Sequence, residues 1–295
     1  MFKKRAIALL ITVFFIMAIS VSLGISLKYV ATGSKSMQSE QFALQTSMIL
    51  EDVLKILRDS PDLARVNSQE GLAIFLAESS IIPFQSNGMR ILIEIKSARA
   101  KINPNIFTDT TRLNIFKSFL IKKMVNTQYA DILADAVGGI KEDMSYNTDI
   151  FTHKPSLFRD YITSDKHLEE LNDSFMRSYE DESLKSIEMQ ELFYTSKESN
   201  SSIDLNYATA QVWEVLLGCD EERAQMLQLS GGTYSSVADL GLNSDENSSL
   251  SHFKTSFFEP HIEVNIAITE KNISSNLRFE YNIQSKKGSN FVYEI

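Results

Sequence analysis

The chain has 295 residues but only four histidines and one cysteine, so few side chains can carry nucleophilic or metal chemistry. His153, His167, His252 and His261 fall in no HExxH or paired spacing, so no helix turn offers two imidazoles to a zinc ion. GxSxG, P-loop and GxGxxG patterns are absent. Cys219 stands alone, which excludes an intrachain disulfide and a CxxC metal or redox pair. No histidine is near it in sequence, and it reads as an inert thiol. Glu169-Glu170 and Glu221-Glu222 have the residue type for acid–base work or cation binding. At helical positions they read more simply as solvated faces and N-terminal charges. The sequence therefore points away from an enzyme.

One stretch has a shape associated with phosphate recognition. Residues 203–242 read as a compact helical unit in which Asn206 or Thr209 caps a helix carrying Val212, Trp213, Val215 and Leu216. Gly218 ends that helix, and a second runs from Asp220 to about Leu229. Gly231-Gly232 turn the chain, and Ser235 or Ser236 caps a short helix ending at Gly241. The unit resembles a SAM or helix-hairpin-helix module, and the helix-hairpin-helix meets DNA phosphates through a Gly-hydrophobic-Gly turn. Here the turn is Gly218-Cys219-Asp220, followed by two glutamates. Asp204, Glu214, Asp220, Glu221, Glu222 and Asp239 face Arg223 alone within the unit. The net charge of −9 for the whole chain points the same way, and no nucleic acid is expected. A protein-packing role fits better, with Trp213 in the core.

Stepping outward, three kinds of element must position these residues. Phe42, Leu44, Ile49, Leu50, Val53, Leu54 and Leu57 recur at helical spacing and predict an amphipathic helix that ends near Pro61. The run GLAIFLAES fits a helix or a buried strand. Met89–Ala98 predicts a strand after the Ser86-Asn87-Gly88 turn, with a second short strand from Ala100 to Pro104. From about 106 to 200 the period is helical: 113–124, then TQYADILADAV stopped by Gly138-Gly139, then two or three helices within 165–195. HIEVNIAITE (261–270) alternates as a strand, as do 276–285 and 290–295, with turns marked at Asn272 and Lys287-Gly288. Three strands need a partner for their apolar face. The early helix and strands supply it, making the helical block an insertion within one α/β domain.

Ahead of all this lies Ala6–Leu27, which holds no charged residue and follows Lys3, Lys4 and Arg5. As a helix it would reach roughly 33 Å at about 1.5 Å per residue, against a hydrocarbon core of about 30 Å. It reads as a retained membrane span with the N-terminus cytoplasmic. A cleaved signal peptide with Ala18-Ile19-Ser20 as its small-residue site is the alternative.

The short basic leader followed by an apolar helix resembles a type IV prepilin, and the order helix, strands, helices, strands is similar to one pilin-like class, the type II secretion minor pseudopilin K. Three motifs carry the resemblance. Ile102-Asn103-Pro104-Asn105 is similar to the family's Ile-Asn-x-Asn exit into a helical insert. Ile203-Asp204-Leu205-Asn206-Tyr207-Ala208-Thr209-Ala210 is similar to its Ile-Asn-Val-Asn-Thr-Ala motif. Thr233–Leu240 is similar to the end of the same unit.

The resemblance implies an α+β, pilin-like fold: a long N-terminal helix on an antiparallel sheet, with a large all-α insertion. The divisions expected are a leader (1–6), a transmembrane stem (7–29), a pilin-like domain (30–105 and 256–295) and insertion subdomains 106–202 and 203–255. It implies prepilin peptidase cleavage between Ala6 and Ile7, although the family usually has Gly where Ala6 stands. It also explains Ile11, where most pilins carry a glutamate that pairs with a neighbouring subunit; this class lacks it, which suits a filament tip. The implied partners are other minor pseudopilins, the major pseudopilin, the peptidase and the membrane. The implied location is the inner membrane, single pass, with the bulk periplasmic and assembled into a pseudopilus. The implied role is initiating that filament for protein secretion. A competence or type IV pilus system, or a single-pass anchored envelope binding protein, are alternatives. Family members hold calcium in the insert, and the matching oxygens would come from Asp135, Glu142, Asp143 and Asp149. A solvated acidic loop is the other reading of these four.

Overall fold

A computed structural model describes residues 35–86, 89–143, 145–198, 201–270 and 273–294. The chain forms two compact units, one ending its first segment at Ala98 and resuming at Pro260–Ile295, the other spanning Arg99–Glu259. The sequence places the same transitions at 105/106 and 255/256.

In the first unit, helix α1 (Lys35–Asp59) buries the stripe Phe42, Thr46, Ile49, Val53, Ile56 and Leu57. Its last turn is satisfied from a distant loop, where Lys286 Nζ donates to the Arg58 carbonyl at 2.9 Å. Helix α2 (Gln69–Ser79) covers GLAIFLAES and resolves the helix-or-strand ambiguity. Ser68 caps it by accepting from the Gly71 N–H. Strands β1 (Ile81–Ser86), β2 (Met89–Ser97), β3 (His261–Glu270), β4 (Ile273–Asn282) and β5 (Lys287–Glu294) pair antiparallel in sequential order. In β3 every second residue, Ile262, Val264, Ile266 and Ile268, is buried, as the alternation demands. The row continues through Ile91, Ile93 and Ile95 of β2 and Leu277, Phe279 and Tyr281 of β4. Thr46 of α1 lies 3.4 Å, Oγ1 to Oγ, from Ser275 of β4, which fixes the helix against that face.

Strands β2 and β3 are hydrogen-bonded neighbours, with Ser97 opposite Ile262, yet the whole second unit lies between them in sequence. The insertion thus occupies the place of a hairpin turn. Closing so long a connection costs only slowly more with length, and this one recovers the cost by folding on its own core. That core is continuous from Ile102 to Phe253 and includes Phe116, Tyr129, Phe175 and the fully buried Trp213. Its helices are α3 (Thr110–Lys122), α4 (Gln128–Val137), α5 (Ile150–His153), α6 (Asp165–Tyr179), α7 (Met189–Leu192), α8 (Ala210–Leu217), α9 (Glu221–Leu229) and α10 (Ser244–Leu250). Thr209 caps α8, Gly218 leaves it with φ 61°, and Asp220 caps α9.

Several expectations need correcting. No strand forms over Ala100–Pro104: Ile102 makes one isolated bridge to Phe193, and Pro104–Thr108 winds into a 3-10 turn. The proline fixes φ and removes a donor, which favours a turn over a ladder. The last turn precedes Lys287-Gly288, which open β5; Lys286, with φ 56°, sits in the turn itself.

The expectation of a single-pass inner-membrane chain is also corrected. No helix among the described residues is long and apolar enough to cross a membrane. The 25-residue α1 is amphipathic, carrying Glu51, Asp52, Lys55, Arg58 and Asp59 opposite its buried stripe. The 7–29 stretch from which the span was read, with Ala6, Ile7 and Ile11, lies outside the described residues, as does Asn272.

Candidate functional site

The motif asparagines prove to be staples of the helical unit. Asn103 accepts from the Asn105 N–H at 3.1 Å, and its amide donates to the carbonyls of Ser196 at 2.8 Å and Glu198 at 3.0 Å. Asn105 accepts from the Ile162 N–H at 2.6 Å and donates to the carbonyls of Ile162 and Ser196. Asn206 accepts from the Tyr234 N–H at 2.9 Å and donates to the carbonyls of Tyr234 and Phe257. Each buried amide thus replaces the ladder that an irregular loop cannot supply. Their type and spacing are legible in the sequence, but apart from the Asn103–Asn105 contact their partners are 28 to 95 residues away.

Asp204 was not singled out by its chemistry, and it joins the two ends of this unit. It is fully buried in the short parallel pairing of Ile203–Asp204 with Thr255–Ser256. Its N–H donates to the Arg99 carbonyl at 2.8 Å, and its carboxylate accepts from the N–H groups of Asn206 and Glu259 at 3.0 Å each. Burial pushes its carboxyl up to about 6, against those two hydrogen bonds.

Lys123 closes α3 onto the α8–α9 pair. Its Nζ stands 2.9 Å from Glu214 and 3.5 Å from Glu221, and Lys122 donates to the Gly218 carbonyl. Burial opposes its charge, but the two glutamates raise its pKa above the ordinary lysine value. Glu214, Asp220, Glu221 and Glu222 therefore crowd the turn where a phosphate would approach, while Lys123 is paired with Glu214 and Glu221 and Lys122 is held on the turn's own Gly218 carbonyl.

The expected calcium ligands are not brought together. Asp135 is buried with no exposed surface, and its two oxygens accept from Asn147 N, Asn147 Nδ2, Thr148 N and Thr148 Oγ1 at 2.8–2.9 Å. A carboxylate has about four lone-pair sites, so none is left for an ion. Asp143 is exposed and accepts from the Ser145 N–H, Glu142 is exposed, and Asp149 sits at the N-terminus of α5. Among the described residues no three His, Cys, Asp or Glu side chains converge on a metal position. The acidic set does not fit a calcium ion in this arrangement.

Burial governs both the cysteine and the one buried histidine. Cys219 is half-buried, its Sγ 3.7 Å from the Trp213 carbonyl, and burial raises its thiol to about 11. A thiol so protonated at neutral pH is a poor nucleophile. His167 is buried on α6, and burial lowers its pKa.

What the first unit does present is apolar surface at its margins. Ile81 on edge strand β1 is 64% exposed, Phe291 on the opposite edge strand β5 is 51% exposed, and Leu44 on α1 is 64% exposed. Unpaired strand edges offer free backbone groups to which another chain could add.

No family model and no curated protein sequence matches the chain. Among solved structures, it is similar to a chain in the crystal structure of the GspK-GspI-GspJ complex of the type 2 secretion system from enterotoxigenic Escherichia coli. The TM-score is 0.58 at 14% identity, covering 88% of this chain and 99% of that chain. The two share a fold: an N-terminal helix on an antiparallel sheet, carrying a large helical insertion.

Proposed function

We propose that the chain is a non-catalytic, pilin-like filament subunit: a minor pseudopilin similar to type II secretion protein K, acting with other minor pseudopilins in protein secretion. One observation carries this reading. A helix-on-sheet unit is opened between two adjacent strands, β2 and β3, to admit an all-α unit, and a chain from a complex of GspK, GspI and GspJ matches that arrangement over 99% of its length. The exposed apolar residues of α1, β1 and β5 support association through the first unit.

The finer role we infer is at the tip of the filament. Ile11 has no carboxylate to offer a neighbouring subunit, which suits a terminal position in the filament. In this reading the α8–α9 pair is a packing module with an acidic surface. Prepilin peptidase would process the chain between Ala6 and Ile7. The intact mass of the chain, from cells with and without that peptidase, tests this directly. The reading expects loss of the first six residues only where the peptidase is present. An identical mass in both strains would sink it.

A further inference from the structure

The loop between α4 and α5 is held by hydrogen bonds from the chain's own side chains and backbone. On the last turn of α4, all four lone-pair sites of buried Asp135 are taken by donors from Asn147 and Thr148 of the loop. In its middle, Lys141 Nζ donates to the Ser145 carbonyl at 2.9 Å and lies 5.4 Å from the centre of the Tyr146 ring. A backbone carbonyl and a nearby carboxylate are the ligands a calcium loop would turn toward its ion. Here an ammonium takes the carbonyl, and Asp143 accepts from the Ser145 N–H at 3.1 Å. A second cation closes the far side: the Arg159 guanidinium stacks 4.2 Å from the Phe151 ring centre, and its Nη1 donates to Tyr146 Oη at 3.1 Å. The same Tyr146 oxygen accepts from the Lys141 N–H at 2.9 Å.

From this geometry we propose that the α4–α5 loop is a self-ligated substitute for a cation site. The Asp135 carboxylate and the Lys141 and Arg159 cations take the places of ligand and ion, so that the fold of the helical unit is independent of calcium. The proposal holds whether or not the chain joins a filament.

The test uses the full chain, with calcium ion alone as the probe. Calorimetric titration with calcium should give no saturable heat, and thermal unfolding should be the same in excess EDTA and in millimolar calcium. Thr148→Val removes one donor to Asp135 and keeps the backbone bonds, and it should lower Tm by roughly 2–4 °C in either solution. Asp135→Asn turns an amide N–H toward donors and should lower Tm further. If Asp135→Asn fails to fold, the Thr148→Val shift and the wild-type calcium response still decide. Saturable calcium binding, a rise in wild-type Tm with calcium, or a Thr148→Val protein that melts like wild type would each overturn the proposal.

Discussion

Asp204 shows how one buried acid can link sequence to stability. Its carboxyl is pushed up to about 6 by burial, from an ordinary value of 3.8. Between these values the folded chain holds a proton that the unfolded chain has released, so stability falls as pH rises. The shift corresponds to about 3 kcal/mol, fully present below about pH 4 and lost above about pH 6. Urea unfolding across this range should show that decline, and Asp204→Asn should flatten it by about 2–3 kcal/mol. A variant with the same pH slope as wild type would show that Asp204 does not titrate in the fold. Asn105 allows a simpler test. Asn105→Ala leaves the buried Ile162 N–H without its acceptor, and equilibrium unfolding should register a loss of about 2–3 kcal/mol. The two residues differ in how far the sequence announces them. Asn105 stands in a spaced Asn-x-Asn pattern, whereas Asp204 looks like any strand-end acid until Arg99 and Glu259 are seen on either side of it. Trp213 was readable from its apolar helix alone. Asp135 and the acids that follow α4 have the residue type calcium prefers, while the donors that occupy Asp135 are legible only in three dimensions.

At the level of elements, periodicity was a good guide wherever it ran long. The α1 stripe and the alternation of β3 follow directly from the spacing of apolar residues. Short pieces were not decidable in this way. GLAIFLAES carries too few polar residues to separate a period of 3.6 from one of 2, and the structure shows a helix capped by Ser68. The β4–β5 turn shifted because the left-handed residue is Lys286, a side chain that does not advertise a turn, while the conspicuous Gly288 lies inside β5. Contacts between helices depend on pairs that no local pattern joins, and Lys123 with Glu214 is the clearest. Lys123→Met leaves the Glu214 carboxylate, only 6% exposed, without its partner. Loss of one member of a buried pair costs about 3 kcal/mol or more, so denaturant melts of the variant should show a drop of that size. The double variant Lys123→Met/Glu214→Leu should regain much of it; a double variant as unstable as the single one would mean the pair is not what joins α3 to α8.

For the whole molecule, the order of elements carried more of the fold than any one motif, since it places an all-α block between two adjacent strands of one antiparallel sheet. The charges are divided just as unevenly. Between Arg99 and Glu259 there are 26 acidic and 15 basic side chains, so the acidic excess of the chain lies in the helical unit. The helix-and-sheet unit is close to neutral; exposed apolar side chains occur on both units, Leu44, Ile81 and Phe291 on this one and Ile121, Met124 and Leu229 on the helical one. Association through the helix-and-sheet unit should therefore rest on apolar burial and survive salt. The central claim, that this chain works as one member of a hetero-oligomeric pilin-like assembly, is tested by co-expressing it with the pilin-like proteins of its own organism. The mass of the eluted species is then measured by light scattering in about 1 M salt, where charges are screened beyond about 3 Å. The account predicts a stable complex of this chain with one or two of those proteins. Elution of every component as a monomer, in high and low salt alike, would contradict it.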